Sequence, residues 1–501
     1  GPDITYSGGY GNSVENIGDF DGDGVNDMAV GEMNKGGGNF KGYLHIHFMN
    51  ANGSIKSTVE IDGDNASHMP GDRVGPYYTF FGSAITNIGD QDRDGVTDLA
   101  VGASMNGYYI DTDGVSGIDG DMDKGAVYIL NMNADGTVKQ SYRINDDTTN
   151  GPAIYQGGWG GHFGSSIASA DINGDGKLEL IVGAEDDDTA GNREGSIWII
   201  SYNGARVPIP VYLPESISVT DTMTNQATIV LTEAVALTDT AFGGFGQTHI
   251  FMTESISFTD TSIVSGKDVT QWISETASLS DVLVPNFHRY YPYLSESVSL
   301  TDAVTGAIEK DPLIYDTIRI TKDSDGARQG FGSGMTSLGD LDGNGAMDLA
   351  VGASSSDRWY STPDGNPWST SKYGAVYIMY MNTDGTVKST VTIDKDTTNG
   401  PGSSAAHSYG KSIVNLGDLD GDGVTDIAVG ANWQDSAKGE VYIHYLNANG
   451  SVKSTVTIKD GVTNAPDLTA GDHYGSDIAN MGDLDGDGVI DIAVGADEDS
   501  S

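Results

Sequence analysis

Six copies of one acidic nine-residue pattern recur along this 501-residue chain. The pattern is Asp-x-Asp-Gly-Asp-Gly-x-x-Asp or a close variant, and each copy is followed by a short apolar segment that includes a Gly. The copies begin at Asp19, Asp90, Asp171, Asp340, Asp418 and Asp483. Their starts are 71, 81, 169, 78 and 65 residues apart, so the fold must place six equivalent loops in six repeated units.

Alternate positions of the loop carry side-chain oxygens. In the first copy, Asp19, Asp21 and Asp23 occupy positions 1, 3 and 5, and Asp27 closes the loop at position 9. Calcium accepts about six to eight oxygen ligands in flexible geometry, whereas magnesium demands a small octahedral shell. Zinc sites commonly use Cys or His, which these loops lack. Gly at position 6 permits the sharp turn of a calcium loop, so we predict about six calcium sites.

The predicted ligands occupy positions 1, 3, 5, 7 and 9 of each copy, and position 7 contributes its backbone carbonyl. They are Asp19, Asp21, Asp23, Val25, Asp27; Asp90, Asp92, Asp94, Val96, Asp98; Asp171, Asn173, Asp175, Lys177, Glu179; Asp340, Asp342, Asn344, Ala346, Asp348; Asp418, Asp420, Asp422, Val424, Asp426; and Asp483, Asp485, Asp487, Val489, Asp491. Asn173 and Asn344 lose a charge, so the third and fourth sites should be weaker. The alternative is a set of polar turns without metal, in which the clustered carboxylates would repel one another.

The composition is strongly acidic. The formal net charge is −47, and the six loops hold 22 carboxylates. Six calcium ions would leave a charge of about −35, so nucleic acid and anionic membrane are not expected partners. The charge suits a saline or extracellular setting, although solubility alone would also explain it. The chain has no Cys and no apolar run of about 20 residues that would span a membrane.

Each unit predicts four short strands. In the unit that begins at Tyr409, these are residues 412–416, 427–429, 440–446 and 454–458. A turn of the form Asn-x-x-Gly separates the last two strands, and it recurs at Asn50, Asn133, Asn382 and Asn447. Four short strands per unit of about 65 to 80 residues predict an all-β fold, a β-propeller.

The units resemble the FG-GAP repeat of the integrin α-subunit propeller. An aromatic residue followed by Gly comes first, as at Phe81-Gly82, Phe163-Gly164 and Phe331-Gly332, with Tyr10, Tyr409 and Tyr474 in the other copies. The acidic loop follows, then segments such as 99–103 (Leu-Ala-Val-Gly-Ala) and 125–129 (Gly-Ala-Val-Tyr-Ile). The resemblance covers nearly four-fifths of the chain and implies calcium in the loops that join strands 1 and 2. It also implies adhesion or ligand binding. Such propellers usually have seven blades, so both six and seven remain open.

The third unit is interrupted after Asn203-Gly204, and its fourth strand is expected only near residues 316–321. The predicted division is therefore propeller repeats at 1–204 and 315–501 with an inserted small β-domain at 205–314. Five Ser/Thr-rich segments recur in the insert with spacings of 18, 21, 21 and 21 residues. They are Glu215–Asp221, Glu233–Asp239, Glu254–Asp260, Glu275–Asp281 and Glu296–Asp302. A small β-sandwich, a stack of β-rungs and an unpacked Ser/Thr-rich tract are the alternatives.

The sixth unit contains two of its four strands before Ser501, which predicts an open strand edge. Three explanations of this edge are the alternatives. The chain is a fragment of a larger surface protein, or the propeller closes with a strand from its own N-terminus, or a neighbouring subunit supplies the missing strands and links molecules into a fibre. The last alternative predicts intermolecular pairing at residues 491–494.

We predict an extracellular or cell-surface adhesion or structural module with a protein or glycan ligand, and not an enzyme. No nucleophile elbow, phosphate loop or dinucleotide fingerprint occurs in the sequence. The alternative is a carbohydrate-binding protein or a polysaccharide lyase on a propeller scaffold. The candidate sugar-stacking residues are Trp359, Tyr360, Trp368 and the segment His288–Tyr293. His45 and His47 share one face of a strand, where a metal site is the alternative to the predicted pair of partly exposed strand residues.

Overall fold

The computed structural model describes residues 9–33, 41–63, 65, 68–69, 79–105, 124–148, 150–154, 161–187, 195–202, 314–321, 330–354, 374–402, 408–463 and 465–497. Between 203 and 313 it describes the backbone of the strands given below. The chain divides into two compact units. One comprises Gly1–Asn203 with Ile314–Ser501, and the other comprises Gly204–Leu313.

The first unit is a β-propeller, as the sequence predicts. Five of its sheets have four antiparallel strands each, and we number them blades 1 to 5. The strands are Tyr10–Gly18, Asp27–Glu32, Tyr43–Met49 and Ile55–Asp62; Phe81–Gly89, Asp98–Ala103, Ala126–Met132 and Val138–Ile144; Phe163–Ala170, Glu179–Ala184, Ser196–Tyr202 and Ile314–Ile320; Phe331–Gly339, Asp348–Ala353, Ala375–Met381 and Val387–Ile393; and Ile413–Gly417, Asp426–Ala431, Glu440–Leu446 and Val452–Ile458. Blade 6 has two described strands, Tyr474–Gly482 and Asp491–Ala496. One short helical turn, Gln434–Ala437, follows strand 2 of blade 5.

Six blades complete the ring. Strand 1 of every blade lines one axial cavity of about 610 Å³. Asn480 Nδ2 of blade 6 donates to the Asn415 carbonyl of blade 5 at 3.0 Å, and Asn16 Nδ2 of blade 1 donates to the Asn480 carbonyl at 2.9 Å. Blade 6 therefore lies directly between blades 5 and 1. The alternatives of six and seven blades resolve to six.

Adjacent blades approach so closely that two glycines must face each other. A Cβ on Gly102, in strand 2 of blade 2, would lie 2.1 Å from the Gly164 carbonyl oxygen of blade 3. The same contact recurs between Gly31 and Gly82, Gly183 and Gly332, Gly352 and Gly410, Gly430 and Gly475, and Gly495 and Gly11, at 1.9 to 2.2 Å. The last of these pairs joins blade 6 to blade 1, so the seam of the ring is packed like every other blade interface.

A serine secures each of these glycine carbonyls. Ser83 Oγ of blade 2 donates to the Gly164 carbonyl at 3.1 Å, and Ser476 Oγ of blade 6 donates to the Gly11 carbonyl at 3.1 Å. The equivalent donors in blades 1, 3, 4 and 5 are Ser13, Ser166, Ser333 and Ser412. All six serines are buried or nearly so. The hydroxyls thus satisfy carbonyls that the close approach removes from water.

The core consists of apolar layers between neighbouring blades. In blades 2, 4 and 5, the aromatic residue before the Gly packs edge-on against a Tyr in strand 3 of the same blade. The ring centroids of Phe81 and Tyr128 are 6.0 Å apart, and those of Tyr409 and Tyr442 are 5.6 Å apart. Strand 2 is buried along its whole length in blades 2 to 5, because it lies between strands 1 and 3 and between two neighbouring blades.

The prediction that His45 and His47 are partly exposed is wrong, because both side chains are buried. Strand 3 is an inner strand of the blade, so its polar positions also face packed neighbours. His47 Nε2 lies 2.6 Å from the Tyr10 hydroxyl, and Nδ1 lies 2.8 Å from the Thr58 hydroxyl. His444 repeats this arrangement in blade 5, at 2.7 Å from both Tyr409 and Thr455.

The second unit contains only parallel strand pairs within its described backbone. One sheet holds Pro210–Tyr212, Ala227–Leu231, Phe242–Met252, Ile263–Ile273 and Arg289–Leu294. The other holds Ala236–Thr238, Ser257–Thr259, Ser278–Leu279 and Ser299–Leu300. The register pairs Tyr212 with Val230 and Phe251 with Trp272, offsets of 18 and 21 that equal the sequence repeat. The unit is thus a stack of β-rungs with one repeat per rung. The predicted segment 215–221 lies outside the described residues.

Replacing Gly102 by Ala tests the close approach of the blades. The new methyl group would overlap the Gly164 carbonyl, and backbone must shift to accept it. We expect Gly102→Ala to lower the free energy of unfolding by about 3 kcal/mol in urea denaturation. Gly161→Ala is the control, because its Cβ would lie 2.8 Å from a side-chain atom, Ile154 Cγ2, and 4.0 Å from the nearest backbone atom, Asp187 Cα. Equal stabilities for the two variants would contradict the packing argument.

His444 makes stability depend on pH. Burial lowers the pKa of His444 to about 3, so the folded protein holds it neutral while the unfolded chain takes up a proton below about pH 6.5. Its contribution is complete above pH 6.5 and is lost as the pH falls toward 3. From pH 7 to pH 5, the native protein should lose about 2 kcal/mol more of unfolding free energy than His444→Gln. Identical losses in denaturant titrations at the two pH values would contradict this.

Candidate metal centre

All six acidic loops join strand 1 to strand 2 of a blade, and all six are described. Position 1 follows the end of strand 1, and position 9 is the first residue of strand 2. Gly at position 6 has φ between 83° and 91° in every loop, a conformation that only Gly adopts readily. The predicted site residues therefore occupy equivalent places in six equivalent turns.

Position 1 organises the backbone of each loop. In blade 1, Asp19 Oδ1 accepts from the Asp23 amide at 2.9 Å, and Oδ2 accepts from the Gly24 amide at 2.8 Å. The bond to the Gly amide recurs in every loop, at 2.7 to 2.9 Å. These bonds curl the loop around its first carboxylate, so that the following carboxylates converge.

The carboxylate at position 9 is buried in blades 1, 2, 4 and 5, and there it links the loop to strand 3 by accepting a hydrogen bond from each. In blade 5, Asp426 Oδ2 accepts from the Leu419 amide of the loop and Oδ1 accepts from the Leu446 amide at the end of strand 3, both at 2.9 Å. Asp27, Asp98 and Asp348 do the same in their blades. Burial raises the pKa of Asp98 to about 7, although the hydrogen bonds from Met132 and Gln91 oppose the shift.

Three carboxylates converge in five of the six loops, where one oxygen from each lies within 4.8 Å of the others. The groups are Asp19, Asp21, Asp27; Asp90, Asp92, Asp94; Asp340, Asp342, Asp348; Asp418, Asp420, Asp426; and Asp483, Asp485, Asp491. Among the described residues, the third loop forms no such group. There, position 3 is Asn173, whose amide donates to Glu179 Oε1 at 3.1 Å.

Positions 5 and 7 are arranged as a turn. The amide of position 7 donates to the side-chain oxygen of position 5 in each loop, as Val25 does to Asp23 at 3.0 Å. The equivalent donors are Val96, Lys177, Ala346, Val424 and Val489. In the fourth loop, the Asn344 amide turns away and donates to the Met381 carbonyl at 2.8 Å. The position 7 carbonyls remain predicted ligands.

A lysine that the loop pattern does not include enters four of the loops. Lys56 Nζ, from strand 4 of blade 1, lies 2.6 Å from Asp21 Oδ2 and 2.8 Å from Asp23 Oδ2. Lys453 makes the same two contacts in blade 5, with Asp420 and Asp422. Lys139 contacts Asp92 and Asp94 in blade 2, and Lys388 contacts Asp342 in blade 4. The carboxylate contacts raise the pKa of Lys56, and Lys56 in turn lowers that of Asp23.

In blades 1, 2 and 5 the carboxylates of positions 3 and 5 thus already hold a cationic group, and in blade 4 the carboxylate of position 3 does. A hard cation suits the same donors, because the loops present carboxylate, amide and backbone oxygens and no Cys or His. The residues present therefore fit calcium. The signal for the lysine was available in the sequence, as Asn-x-x-Gly-x-x-Lys at the turn between strands 3 and 4, but its relevance depends on the strand register.

Without metal, losing the carboxylate at position 9 should cost more unfolding free energy than losing the carboxylate at position 3. Asp426→Asn leaves one oxygen for two backbone donors, so it should lower the free energy of unfolding by about 2 kcal/mol in excess chelator. Asp420→Asn is the matched control, because Asp420 is partly exposed and contacts Lys453. It should cost less than about 1 kcal/mol under the same conditions. A larger loss for Asp420→Asn than for Asp426→Asn in urea denaturation would contradict the structural role of Asp426.

Comparisons with known proteins agree with this architecture. The FG-GAP repeat family model matches residues 163–200 and 411–444. Human integrin alpha-6 is 32% identical over 178 residues, which cover 36% of this chain and 13% of that protein. Integrin alpha-4 of Xenopus laevis is 30% identical over 166 residues, or 33% of this chain and 14% of that protein. Integrin alpha-6 of Gallus gallus is 34% identical over 157 residues.

The matched region is thus less than one-sixth of the length of these curated relatives. The two segments that the family model matches contain the acidic loops that begin at Asp171 and Asp418. The first unit therefore contains FG-GAP repeats within an integrin-like β-propeller.

Proposed function

We propose that this protein is a calcium-stabilised extracellular module for adhesion or for building a surface structure. The observation that carries the proposal is the recurrence of one oxygen-rich loop at the same place on six blades. Five loops bring three carboxylate oxygens within 4.8 Å of one another. Such groups repel unless a cation neutralises them, so bound calcium would tie strands 1 and 2 together on every blade.

The adhesion part of the proposal rests on similarity to integrin α subunits and on the surface charge. The net charge of −47 favours protein or glycan partners over nucleic acid. The part of the chain that the structure describes contains no helix with the length and apolar character needed to cross a bilayer. We propose a binding role and not a catalytic one, because the six acidic sites serve the turns in which they lie.

Assembly by strand addition is a second candidate, and one observation favours it. The outer described strand of blade 6, Asp491–Ala496, is mostly half-exposed, whereas the equivalent strands of blades 2 to 5 are buried throughout. Among the described residues, no third strand pairs with it. A neighbouring molecule that supplied this strand would link propellers into a fibre.

Removing calcium should lower the thermal stability of the propeller. A site at a free-ion concentration of 100 times its dissociation constant adds about 2.7 kcal/mol to folded-state stability. We therefore expect excess chelator to lower the melting temperature by at least about 5 °C in differential scanning calorimetry. Calcium should restore the original curve, and an equal concentration of magnesium should restore much less. An unchanged melting curve in chelator would contradict a structural role for calcium.

The functional alternatives separate in three assays. Binding to arrays of extracellular proteins and glycans, with calcium and with chelator, tests calcium-dependent adhesion. Electron microscopy of the purified protein tests fibre formation. Absorbance on uronate polymers tests the lyase alternative. The candidate sugar-stacking residues Trp359, Tyr360 and Trp368 lie outside the described residues.

A further inference from the structure

The strand 4 lysines occupy one structurally defined position. In every four-stranded blade, strand 4 bulges opposite the end of strand 3, which shifts the register by one residue. In blade 5, Tyr445 pairs with Ser454 and Leu446 with Val452, so Lys453 is the residue left out of the ladder. Lys56, Lys139 and Lys388 are the bulged residues of blades 1, 2 and 4. A bulge redirects a side chain, and here the side chain ends in the acidic loop.

The lysine contacts the oxygens that the predicted metal site requires. In blades 1, 2 and 5, Nζ lies between 2.6 and 2.9 Å from the carboxylates at positions 3 and 5. An ammonium and a calcium ion that shared these oxygens would be within about 5 Å of each other and would repel strongly. The lysine ammonium group and a calcium ion therefore cannot bind the shared oxygens at the same time.

We propose that these lysines are built-in counter-cations of the calcium loops. Each one neutralises its loop when calcium is scarce and must withdraw from the shared oxygens when calcium binds. This inference rests on the proposed calcium role and adds to it a division into two classes of site. The loops of blades 1, 2, 4 and 5 keep their shape without metal but bind it more weakly, because binding must first break the lysine contacts.

Blades 3 and 6 provide the contrast within the same molecule. The bulged position of blade 3 is Tyr315, between the pairs of Ser201 with Asp316 and Tyr202 with Ile314. Blade 6 has no strand 4 among its described residues. The loop that begins at Asp483 combines four carboxylates with no lysine contact in the described part of the chain. A loop without a lysine contact should bind calcium without this exchange.

The exposure of the lysines allows the exchange. The side chains of Lys56, Lys139, Lys388 and Lys453 are 37% to 48% exposed, so Nζ can move into water without breaking the core. A lysine on an exposed bulge loses little packing when it swings out. The backbone of strand 4 need not move, because the ladder bonds on both sides of the bulge do not involve the lysine side chain.

The test compares the native chain with a variant in which all four lysines are replaced by Met, which keeps the length of the apolar stem. Calcium chloride is titrated into chelator-treated protein by isothermal calorimetry, and melting is followed with and without calcium. We expect the four Lys→Met changes to tighten calcium binding about tenfold at four sites. In chelator, the same variant should melt at a lower temperature than the native chain, because the carboxylates lose their counter-charge.

Single substitutions keep the test decisive if the fourfold variant fails to fold. Lys453→Met changes one loop. Lys395→Met is the matched control, because Lys395 contacts Asp396 at 2.6 Å and Asp396 lies outside the loops. Tighter binding in Lys453→Met but not in Lys395→Met supports the inference. Unchanged or weaker binding in Lys453→Met overturns it while leaving the calcium role intact. If neither the native chain nor any variant binds calcium, the calcium role itself is overturned together with the inference.

Discussion

The propeller depends on the contact between a glycine of one blade and a glycine carbonyl of the next. At six interfaces, a Cβ in place of the strand 2 hydrogen would lie about 2 Å from that carbonyl oxygen. The gap between blades is therefore set by backbone atoms. A buried serine hydroxyl donates a hydrogen bond to each of these glycine carbonyls. Because Gly495 and Gly11 make the same contact as the five other pairs, the ring closes without a special seam. The apolar layers and the loop positions follow from this spacing.

Much of the fold could be predicted because its signals are local and repeated. The four strands of each unit, the Asn-x-x-Gly turns and the glycine motifs all recur at short range. The prediction for residues 440–446 matches strand 3 of blade 5, Glu440–Leu446. In the insert, the 21-residue period already equals the offset between paired strands. The period does not specify strand direction, so the sequence is compatible with both a sandwich and a stack of rungs. The parallel pairing of the strands distinguishes the two.

The errors and omissions share one cause, which is contact between segments far apart in sequence. His45 and His47 alternate like residues of a half-exposed strand, yet inner strands of a blade are covered on both faces. The serines that secure the glycine carbonyls bond to the neighbouring blade, 63 or more residues away. Lys56 reaches a loop 35 residues earlier, and only the bulge in strand 4 places it there. No single-sequence pattern contains these distances.

The position of the insert has a consequence for how the chain folds. Blade 3 pairs Ser201 with Asp316, so the whole second unit lies between its strands 3 and 4 in the sequence. In blade 5, only a short turn separates the same two strands. Closing a flexible loop of that length would cost about 3 kcal/mol more than closing a short turn. During synthesis, strands 1 to 3 of blade 3 emerge well before their outer neighbour. Early folding of the rungs would replace a long flexible loop by a compact body. The order in which the two units fold therefore decides how long strand 3 of blade 3 remains unpaired on its outer side.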